Sequence, residues 1–534
     1  MAGIRARRQG GSRRPGHRLW SAHWRRAPLS CSLVWLAACS GTSPADPDAA
    51  AVDARDQPVV DARPGDARPG DAASGADGSV APDAAVDAGG DSDAGPPSAG
   101  VRLMLHGGGA EDDEVFARFV EATGYGRIVT IGAVQDPGSY PYLLFWDGYF
   151  TGLGASSVQT LNTENASEVT TALAMAMADA DGIFIRGGNQ ARYMELWRAS
   201  PFQEQLVAAW QRGAVIAGSS AGAAVLGRPL YDARIGGVAA YEALLDPYDP
   251  YITFAQELIP ALSNLITDTH FTERGRLGRL AVFALRAPFT PGLQPLALGI
   301  DPRTAVLVYD DGSMEVIGRG SATLLDPRPG PNAIAPGVPP AVNEMRLWQM
   351  PAGYRFDIER ARAGTDPVLA RPTYVVPGPA APPNLGPWPT AILDGDDLAQ
   401  RSLGDFQLIG LDGDPDAWRT GGLSLMPGSG AWPGALIVTG LYNDSDYFEN
   451  HLGGMIWAVA QHPEVVAIGV DIQLRAQGSA PCGLAGRSGG YALVVDAREA
   501  SHVGVPPAGG WQTAAIENGA LRVISSTNPW DCAP

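Results

Sequence analysis

The chain has 534 residues, 45% of them hydrophobic, and a formal net charge of −19 at pH 7. That length leaves room for two or three domains with ample core, and the acidic balance excludes nucleic acid as a partner, because phosphate recognition needs a basic surface. All 38 basic residues are Arg, which reflects coding bias and carries no functional signal.

An Arg-rich start from Arg5 to Arg26 precedes an apolar stretch from Ala27 to Ala38, too short to span a bilayer as a mature helix. Residues 1–38 therefore read as a secretory signal peptide. Leu36-Ala37-Ala38-Cys39 resembles a lipobox, with cleavage before Cys39 and lipid on its thiol. The expected location is outside the cytoplasm, anchored to a bacterial membrane on its periplasmic face or at the cell surface. Several acyl chains on one residue hold stably, at about 0.8 kcal/mol per buried methylene. Residues 39–100 are Asp, Ala, Pro and Gly with hardly an aromatic, including the tandem Asp-Ala-Arg-Pro-Gly at 61–65 and 66–70. Such a segment cannot bury enough apolar surface to offset its ordering entropy, and it reads as a disordered tether reaching roughly 40 to 45 Å. Of the four cysteines, Cys31 leaves with the signal and Cys39 takes lipid, so Cys482 and Cys532 form the one intrachain pair left. A bridge there would add about 4 kcal/mol on the chain-entropy model; two unpaired buried thiols are the alternative.

From Val101 the pattern alternates. A strand Val101 to Leu105 runs into His106-Gly107-Gly108-Gly109, followed by a helix from Glu111 to Ala122 and a strand from Arg127 to Ile131. A helix over Tyr140–Phe150, a strand over Ser157–Thr160, a helix over Glu168–Met177 and a strand over Gly182–Ile185 follow. Alternation of this kind predicts an α/β fold with a parallel sheet, whose chemistry collects in loops at the carboxyl ends of the strands.

The strand Ala214 to Ala217 enters Gly218-Ser219-Ser220-Ala221-Gly222 and then small helix-compatible residues, the context of a G-x-S-x-G nucleophile elbow. Ser220 is the predicted nucleophile. A second match, Gly486-Arg487-Ser488-Gly489-Gly490, precedes its strand instead of following one, so Ser488 reads as a loop residue. A serine needs a base. Beyond the leader the histidines are His106, His270, His451, His462 and His502. His270 sits among polar and charged residues at the start of a basic helix, and His106, after the first strand, is its rival. The amides of Ala221 and of the Gly108-Gly109 turn are the expected oxyanion donors.

Five ordered motifs then carry a resemblance. Gly108-Gly109-Ala110-Glu111-Asp112, Gly187-Gly188-Asn189-Gln190, Gly218 to Ala223, Asp268-Thr269-His270-Phe271 with Arg274, Arg276 and Arg279, and Gly299-Ile300-Asp301 with Thr304-Ala305 resemble the motif set of the cyanophycinase family of serine peptidases. The resemblance covers residues 101–363 and ends in Met345 to Arg360, read as edge strands. It implies a three-layer α/β sandwich similar to class I glutamine amidotransferases, a mostly parallel sheet, and hydrolysis of β-aspartyl linkages in a polyaspartate bearing arginine. It also implies His270 as the base, Asn189, Gln190, Thr269, Arg274, Arg276 and Arg279 as substrate contacts, and a homodimer. Neither a metal nor a cofactor is expected.

The family pattern places Glu after the Asp of its G-I-D motif as the triad acid. Here that residue is Pro302, which leaves Asp301 as the third member only if the strand has already turned. Thr269 stands where the family has Gln, and Asn189 where it has Asp. Residues 364–389 are Pro-rich and read as a linker. Residues 390–534 form a C-terminal α/β region in which Leu452-Gly453-Gly454-Met455 and Ala467-Ile468-Gly469-Val470-Asp471 mimic the histidine helix and the G-I-D strand. On that alignment Ser445 replaces the histidine and Gly454 replaces Arg279. The region reads as a decayed partial copy, with convergent patterning as the alternative. Two functions stay open: a peptidase working through an acyl-enzyme on Ser220 against a peptide or aspartyl-rich polymer, and a weak or inactive surface lipoprotein that binds on the same fold.

Overall fold

The computed structural model describes residues 100–133, 140–163 and 175–374. Beyond these it describes the segments 393–394, 404–409, 424–427, 432–439, 452–470, 474–476, 484–486, 491–505 and 514–525, and residue 528. Cys39, Cys482, Cys532 and Ser488 lie outside the described residues, as do most of the helix expected over Glu168–Met177 and of the Pro-rich segment.

The first half follows the predicted alternation: β1 (Val101–His106), α1 (Asp113–Ala122), β2 (Arg127–Gly132), α2 (Tyr140–Gly152), β3 (Ser157–Asn162), β4 (Gly182–Ile185), α3 (Gln190–Trp197), α4 (Pro201–Arg212), β5 (Val215–Ser219) and the short α5 (Ala221–Ala224). β1, β5, β4, β2 and β3 run parallel in that spatial order. Successive side chains of a strand point to opposite faces, and both faces here are covered. Leu103, Leu105, Ile183, Ile185 and Ile216 pack with Tyr193, Trp197, Phe202 and Leu206 of α3 and α4. Met104, Phe184, Val215 and Ala217 pack with Phe116 and Phe119 of α1 and Trp146 and Phe150 of α2. That is the three-layer sandwich, and it explains why these strands read as continuous apolar runs.

A short pair, β6 (Leu230–Tyr231) and β7 (Phe254–Ala255), flanks α6 (Ala240–Leu245). β8 (Leu265–Asp268), α7 (Leu277–Arg286) and β9 (Leu296–Ile300) follow. β10 (Thr304–Tyr309) extends the first sheet antiparallel to β1, and β11 (Ser313–Gly318) pairs antiparallel to β10. They are joined by β15 (Arg355–Asp357) and β16 (Val368–Ala370), with α8 (Ile358–Arg362) between those two.

β8 and β9 begin a second sheet that continues through β12 (Ser321–Asp326) and β14 (Val338–Pro351), with β13 (Ala333–Ala335) hanging from β14. The C-terminal elements are β17 (Leu393–Asp394), β18 (Gly404–Ile409), β19 (Ser424–Pro427), β20 (Trp432–Thr439), α9 (Leu452–Gln461), β21 (Val466–Val470), β22 (Leu474–Ala476), β23 (Leu484–Gly486), β24 (Tyr491–Asp496), β25 (His502–Gly504) and β26 (Ala515–Ser525). Most of them join the same sheet, in the order β19-β18-β20-β21-β24-β26-β14-β12-β9-β8. β14 is therefore an inner strand, paired to β12 on one side and β26 on the other, and the edge reading of Met345 to Arg360 is corrected. Its second partner lies far away in sequence, where a local pattern could not reveal it. Past β15, Ile358 to Arg362 is helical, with Asp357 accepting from the Glu359 amide as its cap.

Candidate active site

Ser220 stands at the end of β5, with φ 52° and ψ −119°. A non-glycine residue there costs on the order of 1–3 kcal/mol, which the surrounding packing must hold. The flanking glycines make the bend feasible. A Cβ on Gly218 would fall 2.3 Å from the Gly222 carbonyl oxygen, and one on Gly222 would fall 2.1 Å from that of Ile185. The Ser220 amide donates to the His106 carbonyl at 3.0 Å, and the Ala223 and Ala224 amides donate to the Ser220 carbonyl.

His270 follows β8 with φ 47°, and the Arg274 amide donates to its carbonyl at 3.1 Å. That bond closes one helical turn, and side chains three apart on such a turn are neighbours. The outcome is a chain of hydrogen bonds: His270 Nε2 lies 2.9 Å from Ser220 Oγ, and His270 Nδ1 lies 2.7 Å from Glu273 Oε2. With the proton on Nδ1 donated to the carboxylate, the Nε2 lone pair faces the serine hydroxyl, the tautomer a general base needs. Burial pushes the His270 imidazole down to about 4, the Arg274 charge adding to the effect while Glu273 opposes it. The ring is therefore neutral at physiological pH, ready to accept a proton.

The carboxylate bonded to His270 Nδ1 is Glu273, in the place the sequence reading gives to Asp301. Asp301 stands immediately past β9, its amide donating to the Ser321 carbonyl at 3.1 Å. Its fully buried carboxylate accepts from the Thr272 amide (3.1 Å), the Thr272 hydroxyl (2.7 Å) and the Ser321 amide (3.0 Å). Through Thr272, Asp301 is tied to the turn that carries His270 and Glu273. The signal for Glu273 was present as H-x-x-E, but it is informative only once the chain coils immediately at the histidine.

The glycine loop after β1 lies on the imidazole. A Cβ on Gly108, whose φ is 92°, would sit 2.2 Å from His270 Nε2, and the His270 amide donates to the Gly107 carbonyl at 2.7 Å. A Cβ on Gly109 would sit 2.9 Å from Pro302 Cβ. The Gly108 amide donates to His106 Nδ1 at 3.3 Å, which removes it from the expected oxyanion pair in this arrangement. The Ala221 amide opens α5, where a helix has no internal acceptor for its first N–H groups. His106, the rival base, is buried with Nδ1 2.9 Å from Ser219 Oγ, and burial together with the nearby His270 pushes it down to about 3. It packs beneath the elbow, bonded to Ser219, the residue before Ser220.

The residues expected to touch substrate are largely held by the protein itself. Arg279 grips Asp268 with two bonds, Nε to Oδ2 at 2.7 Å and Nη2 to Oδ1 at 2.6 Å, and Arg276 adds Nη1 to Oδ1 at 3.1 Å. Burial alone would raise the Asp268 carboxyl, but Arg279 and Arg276 outweigh it and hold it below its usual range. Thr269 is buried, and its amide donates to Asp268 Oδ1 at 2.9 Å. Asn189 caps α3, accepting from the Ala191 and Arg192 amides, and Gln190 donates to the Tyr231 carbonyl at 2.9 Å. A Cβ on Gly187 would lie 3.4 Å from Ser220 Cβ, so this loop borders the serine even though its polar side chains are engaged. Arg274 is the member of the basic set whose charge is felt most at His270.

The model of peptidase family S51 matches residues 133–244. A cyanophycinase of Trichormus variabilis is 30% identical over 280 residues, which are 49% of this chain and 87% of that one. The chain belongs to peptidase family S51. A second cyanophycinase, from Synechococcus elongatus, is 29% identical over 234 residues, 42% of this chain and 68% of that one. A solved peptidase from an acI-B1 Actinobacterium shares 17% identity with a TM-score of 0.35, over 48% of this chain and 97% of that one. As a cyanophycinase-like S51 member, the chain is a hydrolase of the peptidase class. Among the described residues no helix is long and apolar enough to cross a membrane, and no group of three His, Cys, Asp or Glu side chains is placed to hold a metal ion.

Proposed function

We propose that this S51 peptidase cleaves an amide bond with an aspartyl residue on the acyl side, β-aspartyl or isopeptide, through an acyl-enzyme on Ser220. The observation that carries the reading is the Glu273–His270–Ser220 chain of hydrogen bonds at 2.7 and 2.9 Å. His270 Nε2 takes the hydroxyl proton as Oγ attacks the carbonyl carbon, and returns it to the amine that leaves. Water then attacks the ester, His270 again taking its proton, and Ser220 is freed with the carboxylic acid released. Glu273 stabilises the imidazolium formed in each step, and the Ala221 amide supplies an oxyanion contact.

The aspartyl preference is supported by the relatives named cyanophycinase and by Arg274, a cation beside the catalytic pair that suits a substrate carboxylate. The competing reading, a binding lipoprotein on a retired fold, draws on Pro302, on Thr269 and on the decayed C-terminal copy; Glu273 beside His270 speaks against the first of these. Membrane attachment through Cys39 belongs to the same proposal and rests on the lipobox resemblance alone. Labelling by a fluorophosphonate probe should require Ser220, and hydrolysis should be found with β-aspartyl dipeptides or cyanophycin. A folded protein that neither labels nor cleaves these overturns the enzyme reading, and activity confined to esters overturns the aspartyl reading. For the anchor, Cys39→Ser should release the protein from membranes.

A further inference from the structure

Read from β8 inward, the strand order β8-β9-β12-β14 has the same form as β20-β21-β24-β26, and the two runs meet at β14 and β26. In each run the first pair is parallel and the next two are antiparallel. A helix stands between the first two strands in each, α7 and α9, opening Leu277-Gly278 and Leu452-Gly453.

The registers make the correspondence residue by residue. Ile300 pairs with Ala322 as Val470 pairs with Ala492, and Asp326 pairs with Arg346 as Asp496 pairs with Ala520. Ala322 to Asp326 thus match Ala492 to Asp496, and Met345, Arg346 and Leu347 match Gly519, Ala520 and Leu521. A local ion pair recurs at the matched position. The Arg328 amide and Nε donate to Asp326 Oδ1 at 3.1 and 2.6 Å, and the Arg498 amide and Nε donate to Asp496 Oδ1 at 3.1 and 3.0 Å.

The junction itself obeys a two-fold rule, in which a contact between i and j must be accompanied by one between their counterparts. Leu347 pairs with Gly519 and Met345 with Leu521; Val342 pairs with Val523 and Gln349 with Ile516. Arg346 pairs with its own counterpart, Ala520, and the irregularities on either side of it fall at matching places. Two unrelated sheets meeting by chance have no reason to satisfy this.

We infer that residues 435–525 are a second copy of residues 265–351, seated on β14 as the partner subunit of a homodimer would be, so that the chain carries its own partner and β14 is closed to another molecule. The copy has no catalytic counterpart at the matched positions: Val438 stands for Asp268, Gly454 for Arg279, and Thr439 is followed in sequence by Gly440 where Thr269 is followed by His270. Ser445, expected at that place, lies outside the described residues. This inference is independent of the proposed chemistry, since it concerns only how the sheet is completed.

The Arg346–Ala520 pair on the axis gives a direct test in the full-length chain. Antiparallel partners have Cα atoms about 4.5–5.5 Å apart, within the roughly 4.4–6.8 Å window of a disulfide. Under mild oxidation the double variant Arg346→Cys/Ala520→Cys should lose both introduced thiols to one bond within a single chain, identified by peptide mapping. Arg346→Cys alone should give no dimer linked through position 346. A dimer linked there, or a folded double variant without the internal bond, overturns the inference. Hydrogen exchange on the unmodified protein guards against a folding defect in the variants: amides of 342–349 and 516–523 should be protected together, and rapid exchange confined to 516–523 would also overturn it.

Discussion

Replacing Glu273 by Gln tests the assignment of the acid most sharply, because Asp301, bonded to the same turn through Thr272, allows a control by the same kind of change. The Gln amide can still reach His270 Nδ1, but it no longer holds a negative charge against the imidazolium or dictates the tautomer. Removing that function from a working serine triad lowers turnover by about 10⁴, or roughly 5.4 kcal/mol of transition-state stabilisation. Asp301→Asn should behave otherwise. Its two carboxylate oxygens accept from Thr272 and Ser321, so one oxygen turned into an NH₂ group faces a donor whichever way the amide lies. A buried mismatch of that kind costs about 1–3 kcal/mol of stability. The expected result is a Glu273→Gln protein that melts near the parent and turns over about 10⁴-fold more slowly. The Asp301→Asn protein should melt several degrees lower and, once folded, keep turnover within about tenfold. Steady-state cleavage of a β-aspartyl dipeptide with thermal denaturation of each variant makes the comparison. Turnover near normal in Glu273→Gln, with the large loss in Asp301→Asn, would refute the assignment.

Because the imidazole must be neutral to accept a proton and its folded value lies at about 4, kcat/KM should stay level as pH falls through 6 and drop only near 4; a limb at the ordinary histidine value of about 6.5 would contradict the burial argument. Gly108→Ala puts a methyl 2.2 Å from His270 Nε2, so labelling of Ser220 by a fluorophosphonate should fall by at least about 10²-fold, as expected when catalytic groups are displaced by about 1 Å. Arg279→Leu leaves the Asp268 carboxylate buried beside Arg276 alone, and a loss of about 3–5 kcal/mol in denaturant unfolding is expected, with KM little changed in protein that folds. Pro302→Glu should bring no gain in turnover, measured in the same dipeptide assay, since Glu273 already occupies His270 Nδ1.

The elbow was legible because its demands are local: an apolar strand, a serine, and glycines at the two places where a Cβ would strike backbone. The α/β layers were legible for a related reason, since strands covered on both faces must be apolar throughout. The acid was not. Asp301 sits in the right motif, but its direction depends on whether the strand continues, while Glu273 comes into reach through a left-handed residue at His270 that periodicity does not reveal. Arg276 and Arg279 read as cations for a substrate until Asp268 is seen between them, a contact that composition cannot assign. The G-I-D likeness of Gly469-Val470-Asp471 was visible in the C-terminal region, yet its meaning depended on strand order, a property of three dimensions.

The β14–β26 junction also constrains how such a chain can be born. Tyr354 donates to the buried Glu517 carboxylate across 163 residues of sequence, and Arg371 pairs with the same side chain. None of these contacts can form until nearly the whole polypeptide has been synthesised. While the C-terminal residues are still emerging, the earlier half carries a long strand with one row of amides and carbonyls unpaired, the feature that recruits foreign strands. Pairings so remote in sequence are slow because loop closure precedes any reward, and partly completed sheets aggregate readily. A chain kept unfolded until its last residues emerge avoids that exposed interval, so the end of synthesis and completion of the sheet become two halves of one schedule.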